Sequence, residues 1–169
     1  MVLIPMADAS ASGSVGVVVI SDYEFTMSLG LRHPDIDPES ITRALALQPE
    51  HVWRKGEERR DESGAALGGE RRESYWVCEF AAGAALKGER ADVESELSRI
   101  LHTLRRSMDF MQHLQHGGGA AELFVSVYTR KDFRISLLAE EASLLGRLGV
   151  GITIEIRPHA AGSTGPIRS

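Results

Sequence analysis

At 169 residues, 43% apolar and 25% charged, the chain has the length and composition of one globular domain that needs no metal or disulfide staple. Its formal net charge of -5 argues against nonspecific binding to nucleic acid or an anionic membrane, because both need a concentrated basic field. The single cysteine, Cys78, excludes an internal disulfide and fits a reducing, cytoplasmic compartment.

Residues 1–21 lack the basic start of a secretory signal, and no stretch of the chain approaches the ~20 apolar residues that a spanning helix needs. They are expected to form a flexible N-terminal extension, in which Val17 to Ile20 has the composition of an added edge strand and Met6 offers a second start. A single domain is expected over 22–157, followed by a loose tail over 158–169.

The domain opens with strict alternation. Tyr23, Phe25, Met27, Leu29 and Leu31 are apolar and the residues between them polar or small, which predicts a strand with one buried face, ended by His33-Pro34. Asp37 and Pro38 then supply a cap and a first helical position for a short helix with Ile41, Leu45 and Leu47 buried, stopped by Pro49. A short second strand is predicted over 51–57. The run that follows, to Glu73, reads as a long charged loop: between 54 and 72 six basic residues face five acidic ones, a balance typical of a solvated segment.

Tyr75 to Ala81 predicts a third strand with Trp76, Cys78 and Phe80 on one face, where a buried thiol acts as a small hydrophobe. A long helix is predicted from Asp92 to His116, since Leu97, Ile100, Leu101, Leu104, Met108, Met111 and Leu114 recur at three- and four-residue intervals, with Gly117 as its left-handed cap. Glu122 to Thr129 reads as a fourth strand. A third helix capped by Ser136 and a last alternating strand from Val150 to Arg157 complete the order. The pattern predicts an α+β fold: a mainly antiparallel sheet of about five strands with helices on one face, in which a ferredoxin-like β-α-β-β-α-β core is extended by α-β.

Several of these segments together resemble a bacterial family known as domain of unknown function 4279. The likeness is carried by the opening strand, by Asp35-Ile-Asp37-Pro38-Glu39-Ser40-Ile41-Thr42, by Leu45-Ala-Leu47-Gln-Pro49 and by Trp53-Arg54-Lys55-Gly56-Glu57. Tyr75-Trp76 and the closing Leu148 to Ile156 run match as well, so that the likeness spans roughly 22–157. The resemblance implies a small bacterial intracellular domain and brings no catalytic residues with it.

Three groups of residues are candidates for chemistry. Trp53, Arg54 and Lys55 set an aromatic beside two cations, suited to an anion, a flat ligand or a protein partner; the plainer reading packs Trp53 over the first helix and leaves the cations in water. Tyr128, with Thr26, Ser28, Ser126 and Thr153, falls on the open sheet face, where hydroxyls suit a ligand or a second subunit and equally suit plain solvation. His113 and His116, at i and i+3, share a helix face as metal ligands would, although imidazoles also favour a helix C-terminus. No nucleophile elbow, phosphate-binding loop or dense metal motif accompanies them. The leading reading is therefore a non-enzymatic binding or regulatory module that recognises a protein partner or forms a homodimer, without a cofactor, nucleic acid or membrane. The competing reading is a small enzyme or metal-dependent sensor built on His51, His102, His113 and His116 with Asp or Glu.

Overall fold

A computed structural model of the protein describes residues 23–81, 92–130 and 132–158; the extension 1–21, with its Val17 to Ile20 strand, and the tail from 159 lie outside these. The described residues form a mixed α+β structure. In chain order the elements are β1 (Tyr23–His33), α1 (Pro38–Leu45), β2 (His51–Trp53), β3 (Glu58–Arg60), β4 (Ala66–Glu70), β5 (Ser74–Ala81), α2 (Val93–Arg105), α3 (Met108–His116), β6 (Ala120–Thr129), α4 (Ala139–Leu148) and β7 (Val150–Pro158). Five strands make one sheet in the order β2-β5-β1-β6-β7, antiparallel throughout except for the parallel β6–β7 pair, and β3 and β4 make a sheet of their own.

The alternation of β1 becomes geometry directly. Met27, Leu29 and Leu31 are wholly buried on one face, beside Trp76 and Cys78 of β5 and Leu123, Val125 and Val127 of β6. Ile41 of α1, Leu97, Ile100, Leu101 and Leu104 of α2, Met111 of α3 and Leu148 of α4 close the same core. The fully buried Trp76 still satisfies its polar atom, because its Nε1 donates to Thr42 Oγ1 at 3.0 Å and so pins α1 to β5. Asp37 caps α1 by accepting from the Glu39 amide at 3.2 Å, with Pro38 at the first helical position.

Four expectations are corrected. The long helix from 92 to 116 is two helices, broken at Arg106-Ser107, where Ser107 Oγ donates to the Ala44 carbonyl at 2.8 Å. No glycine or proline marks the break, and the apolar spacing runs on through it, so periodicity reads straight across. The left-handed residue after α3 is Gly118 (φ 84°), not Gly117 (φ −76°). The glycines pack instead: a Cβ on Gly117 would lie 2.5 Å from His33 Nε2, and one on Gly119 2.7 Å from the Leu114 carbonyl. The third helix starts at Ala139 rather than at Ser136. Glu141 accepts from the Leu138 amide at 2.9 Å, while the Ser136 amide donates to Glu94 of α2 at 3.2 Å.

Fourth, the charged run after Trp53 is not a loop. The second strand ends at Trp53, and β3 and β4 then form a hairpin exposed on every side chain. Its turn is held by Asp61 Oδ1, which accepts from the amides of Ser63 and Ala65 at 2.9 Å each, with Gly64 left-handed at φ 85°. Without a buried face there was no alternation to detect.

Leu104 is wholly buried in α2. Leu104→Ala should lower the unfolding free energy by about 2–5 kcal/mol in urea denaturation; a near-neutral effect would contradict the assigned core face.

Candidate functional site

Strand pairing places the open face residue by residue. Trp53 of β2 stands opposite Tyr75 of β5, which stands opposite Arg32 of β1. The Trp53 and Tyr75 rings stack with centroids 4.3 Å apart and planes 24° apart, and the Arg71 guanidinium lies 4.1 Å from the Trp53 ring centroid. Arg71 reaches this position because the hairpin closes there: Gly56 donates to the Arg71 carbonyl at 2.9 Å and Arg71 donates to the Glu57 carbonyl at 2.8 Å. Gly56 turns the chain at φ 81°, where an L side chain would be strained. Across the sheet, Tyr75 lies over Gly30, so that a Cβ at that glycine would sit 3.4 Å from the Tyr75 hydroxyl. Burial pushes the Tyr75 phenol above its ordinary value, against a smaller opposing pull from Arg32.

The two cations beside Trp53 turn the other way. Arg54 forks onto the start of α1, with Nη1 2.8 Å from Asp37 Oδ1 and Nη2 3.1 Å from Glu39 Oε1. Lys55 Nζ lies 3.8 Å from Asp35, and the Lys55 amide donates to Ser74 Oγ at 3.2 Å. Their charge is therefore shared with acids of the same chain. A shallow cleft of ≈ 210 Å³ opens between α1 and β2, with Thr42, Pro49, Val52 and Trp53 on its walls.

The other candidates are not gathered with Trp53. Tyr128 lies on the open face in a row with Glu24 and Arg157, eight β1 positions from the Arg32 row, or ~27 Å along the sheet. Between them, Ser28, Phe124 and Thr153 form one row and Thr26, Ser126 and Glu155 the next. Thr153 Oγ1 donates to Glu122 at 2.5 Å. His113 and His116 are exposed in the last turn of α3, where His113 Nδ1 contacts its own helix at the Asp109 carbonyl, 2.6 Å away. Among the described residues no group of three His, Cys, Asp or Glu side chains is placed to hold a metal ion. Cys78 is buried, and burial, then Glu50 and Glu79, raise its thiol above the ordinary range, which disfavours the reactive thiolate.

Three residues of this face were not singled out from the sequence. Tyr75 and Phe124 carried a signal, since period two sets each opposite its buried neighbours. Arg71 carried none, because only the hairpin pairing brings it over Trp53. Glu79 is a fourth feature of the face. Desolvation at the sheet surface and then the nearby Glu50 carboxylate raise its carboxyl above the ordinary 4.5, with His51 opposing.

The family described as domain of unknown function DUF4279 matches residues 23–159, and the chain belongs to it. No curated protein and no solved structure matches the chain. Among the described residues no helix is long and apolar enough to cross a membrane.

A carboxyl raised by folding binds its proton more tightly in the native state. Its contribution is therefore fully present below the ordinary value of 4.5 and lost as pH rises through the raised one. Glu79→Gln should accordingly unfold later than wild type at pH 7, with the gap closing as pH falls through the raised value and gone well below 4.5. Urea midpoints across that range measure it; a gap that widens on acidification would contradict the assignment.

Proposed function

We propose that this DUF4279 chain is a non-enzymatic binding module that recognises a protein partner through the Trp53 end of its open sheet face. The observation that carries this reading is the Arg71–Trp53–Tyr75 stack at the foot of the exposed β3–β4 hairpin. Tryptophan, tyrosine and arginine dominate binding energy at protein interfaces, and stacking holds these three in one arrangement before contact. A two-stranded hairpin is marginal alone and these strands bury nothing in the core, so its use lies outside the fold. Leu67, 55% exposed on β4, offers an apolar contact on that arm.

The order β2-β5-β1-β6 supports reading these strands as a ferredoxin-like split unit with α4 and β7 added. The lone cysteine and its burial support a cytoplasmic setting. The alternative, a small enzyme or metal-dependent sensor, draws on Glu79 with its raised carboxyl beside Glu50 and His51. That cluster sits on an exposed strand surface, which gives a substrate no enclosure and puts the alternative second.

A photo-crosslinking residue at position 67, in the chain expressed in its own cells, should give one adduct of defined mass. Trp53→Ala should weaken binding of the protein so captured by at least about thirtyfold, the loss typical of a hot-spot residue. No adduct, or equal binding by the variant, would overturn the reading. A stoichiometric metal or small molecule retained in native mass spectrometry would favour the alternative.

A further inference from the structure

The two edges of the five-stranded sheet are built differently. At one edge β2 is three residues long, leads directly into Arg54 and Lys55, and is flanked by the hairpin. Short, charged edges of this kind resist pairing with another chain. At the other edge β7 runs nine residues, Val150–Pro158, and among the described residues pairs only with β6. It carries no lysine, and its register with β6 is continuous from Ala121↔Val150 to Thr129↔Pro158, without a bulge to twist it away.

The side chains of β7 are unusual for an edge left to water. Ile152, Ile154 and Ile156 all point to the helix side, in line with Leu123, Val125 and Val127 of β6. Yet Ile154 is 40% and Ile156 56% exposed, so the helices do not cover this margin of the core. Exposed Leu137 and Leu138 lead into α4, the helix that packs on β7.

We propose that this edge pairs antiparallel with β7 of a second copy of the chain about a two-fold axis at Ile154, joining two five-stranded sheets into one. The occupant follows from the order of residues. An antiparallel match centred on Ile154 sets Ile152 against Ile156 of the other copy and Ile154 against Ile154, so each apolar residue meets an apolar one. The same register sets Thr153 against Glu155. It also places Arg157 opposite Gly151, which has no side chain, and Glu122 lies one strand further in, in the same row. Arg157, paired among the described residues only to Glu155 two residues away, gains Glu122 of the other copy as a second acid, and the symmetry makes the exchange twice. All nine residues of β7 are used in this register, whereas moving the axis by one residue, to Glu155, would bring Glu155 against Glu155. The proposal goes beyond the partner reading, since it occupies the edge opposite Trp53 and stands or falls separately.

Sedimentation velocity on the full chain at micromolar concentration should show twice the chain mass. Ile154→Lys, at an exposed position, should keep the far-ultraviolet circular dichroism and weaken the dimer by at least about a hundredfold, because two ammonium groups then meet on the axis. Arg157→Glu and Glu122→Arg should each weaken it, and the double exchange should restore it. A wild-type monomer at every concentration would overturn the proposal, as would a dimer indifferent to Ile154→Lys or a charge exchange without rescue. So would a monomer that becomes a dimer when residues 1–20 are deleted, which would make the chain's own N-terminus the occupant of the edge.

Discussion

Everything in this fold leans on β1, which is hydrogen-bonded along both sides, to β5 and to β6. Its core face carries Met27, Leu29 and Leu31, each wholly buried. Burial of such side chains is worth roughly 1.5–3 kcal/mol apiece, so the three together rival the net stability of a whole domain, roughly 5–15 kcal/mol. A one-residue slip would turn all three to water and set Gly30 and Ser28 against the helices. The register is thus fixed by hydrophobic phase, and β5 and β6 inherit theirs from it. The bulge between Met27 and Ser28, opposite Phe80, is the one place where the β1–β5 pairing departs from that phase.

With the register fixed, the opposite face follows without further choice. Gly30 turns up where Tyr75 needs room, Tyr75 turns up beside Trp53, and the hairpin base delivers Arg71 over the Trp53 ring. The core and the proposed recognition surface are two phases of the same alternation. The two edges of the sheet also differ: the short β2 edge presents rings and a hairpin, and the long β7 edge presents isoleucines and, among the described residues, a backbone with no further strand beside it.

The sequence made the core legible and the surface much less so. Where one face is buried, as in β1, β5, β6 and β7, period-two patterning located the strands and their inward residues. Helical spacing likewise found Leu97 through Leu114, but it could not see the break at Ser107, because a short interruption leaves the three- and four-residue spacing intact. The hairpin escaped because neither of its faces is buried, so its residues obey turn chemistry at Asp61 and Gly64 rather than any hydrophobic period. Within the candidate surface, Trp53 was visible as an aromatic among cations. Its partners were not, since Arg54 and Lys55 stand next to it in sequence but bond to Asp37, Glu39 and Asp35, while Arg71 comes from eighteen positions away. Adjacency in sequence pointed at the wrong cations.

The dependence of the whole on β1 is open to residue-resolved hydrogen exchange across a series of low denaturant concentrations. The amides of Leu29, Gly30 and Leu31 should exchange only through global unfolding, with a denaturant dependence equal to that of the full transition. Those of the hairpin, such as Gly56 and Arg71, should exchange through local opening that denaturant barely alters. If the β1 amides exchanged as freely as the hairpin's, the central strand would not be the element on which the others depend.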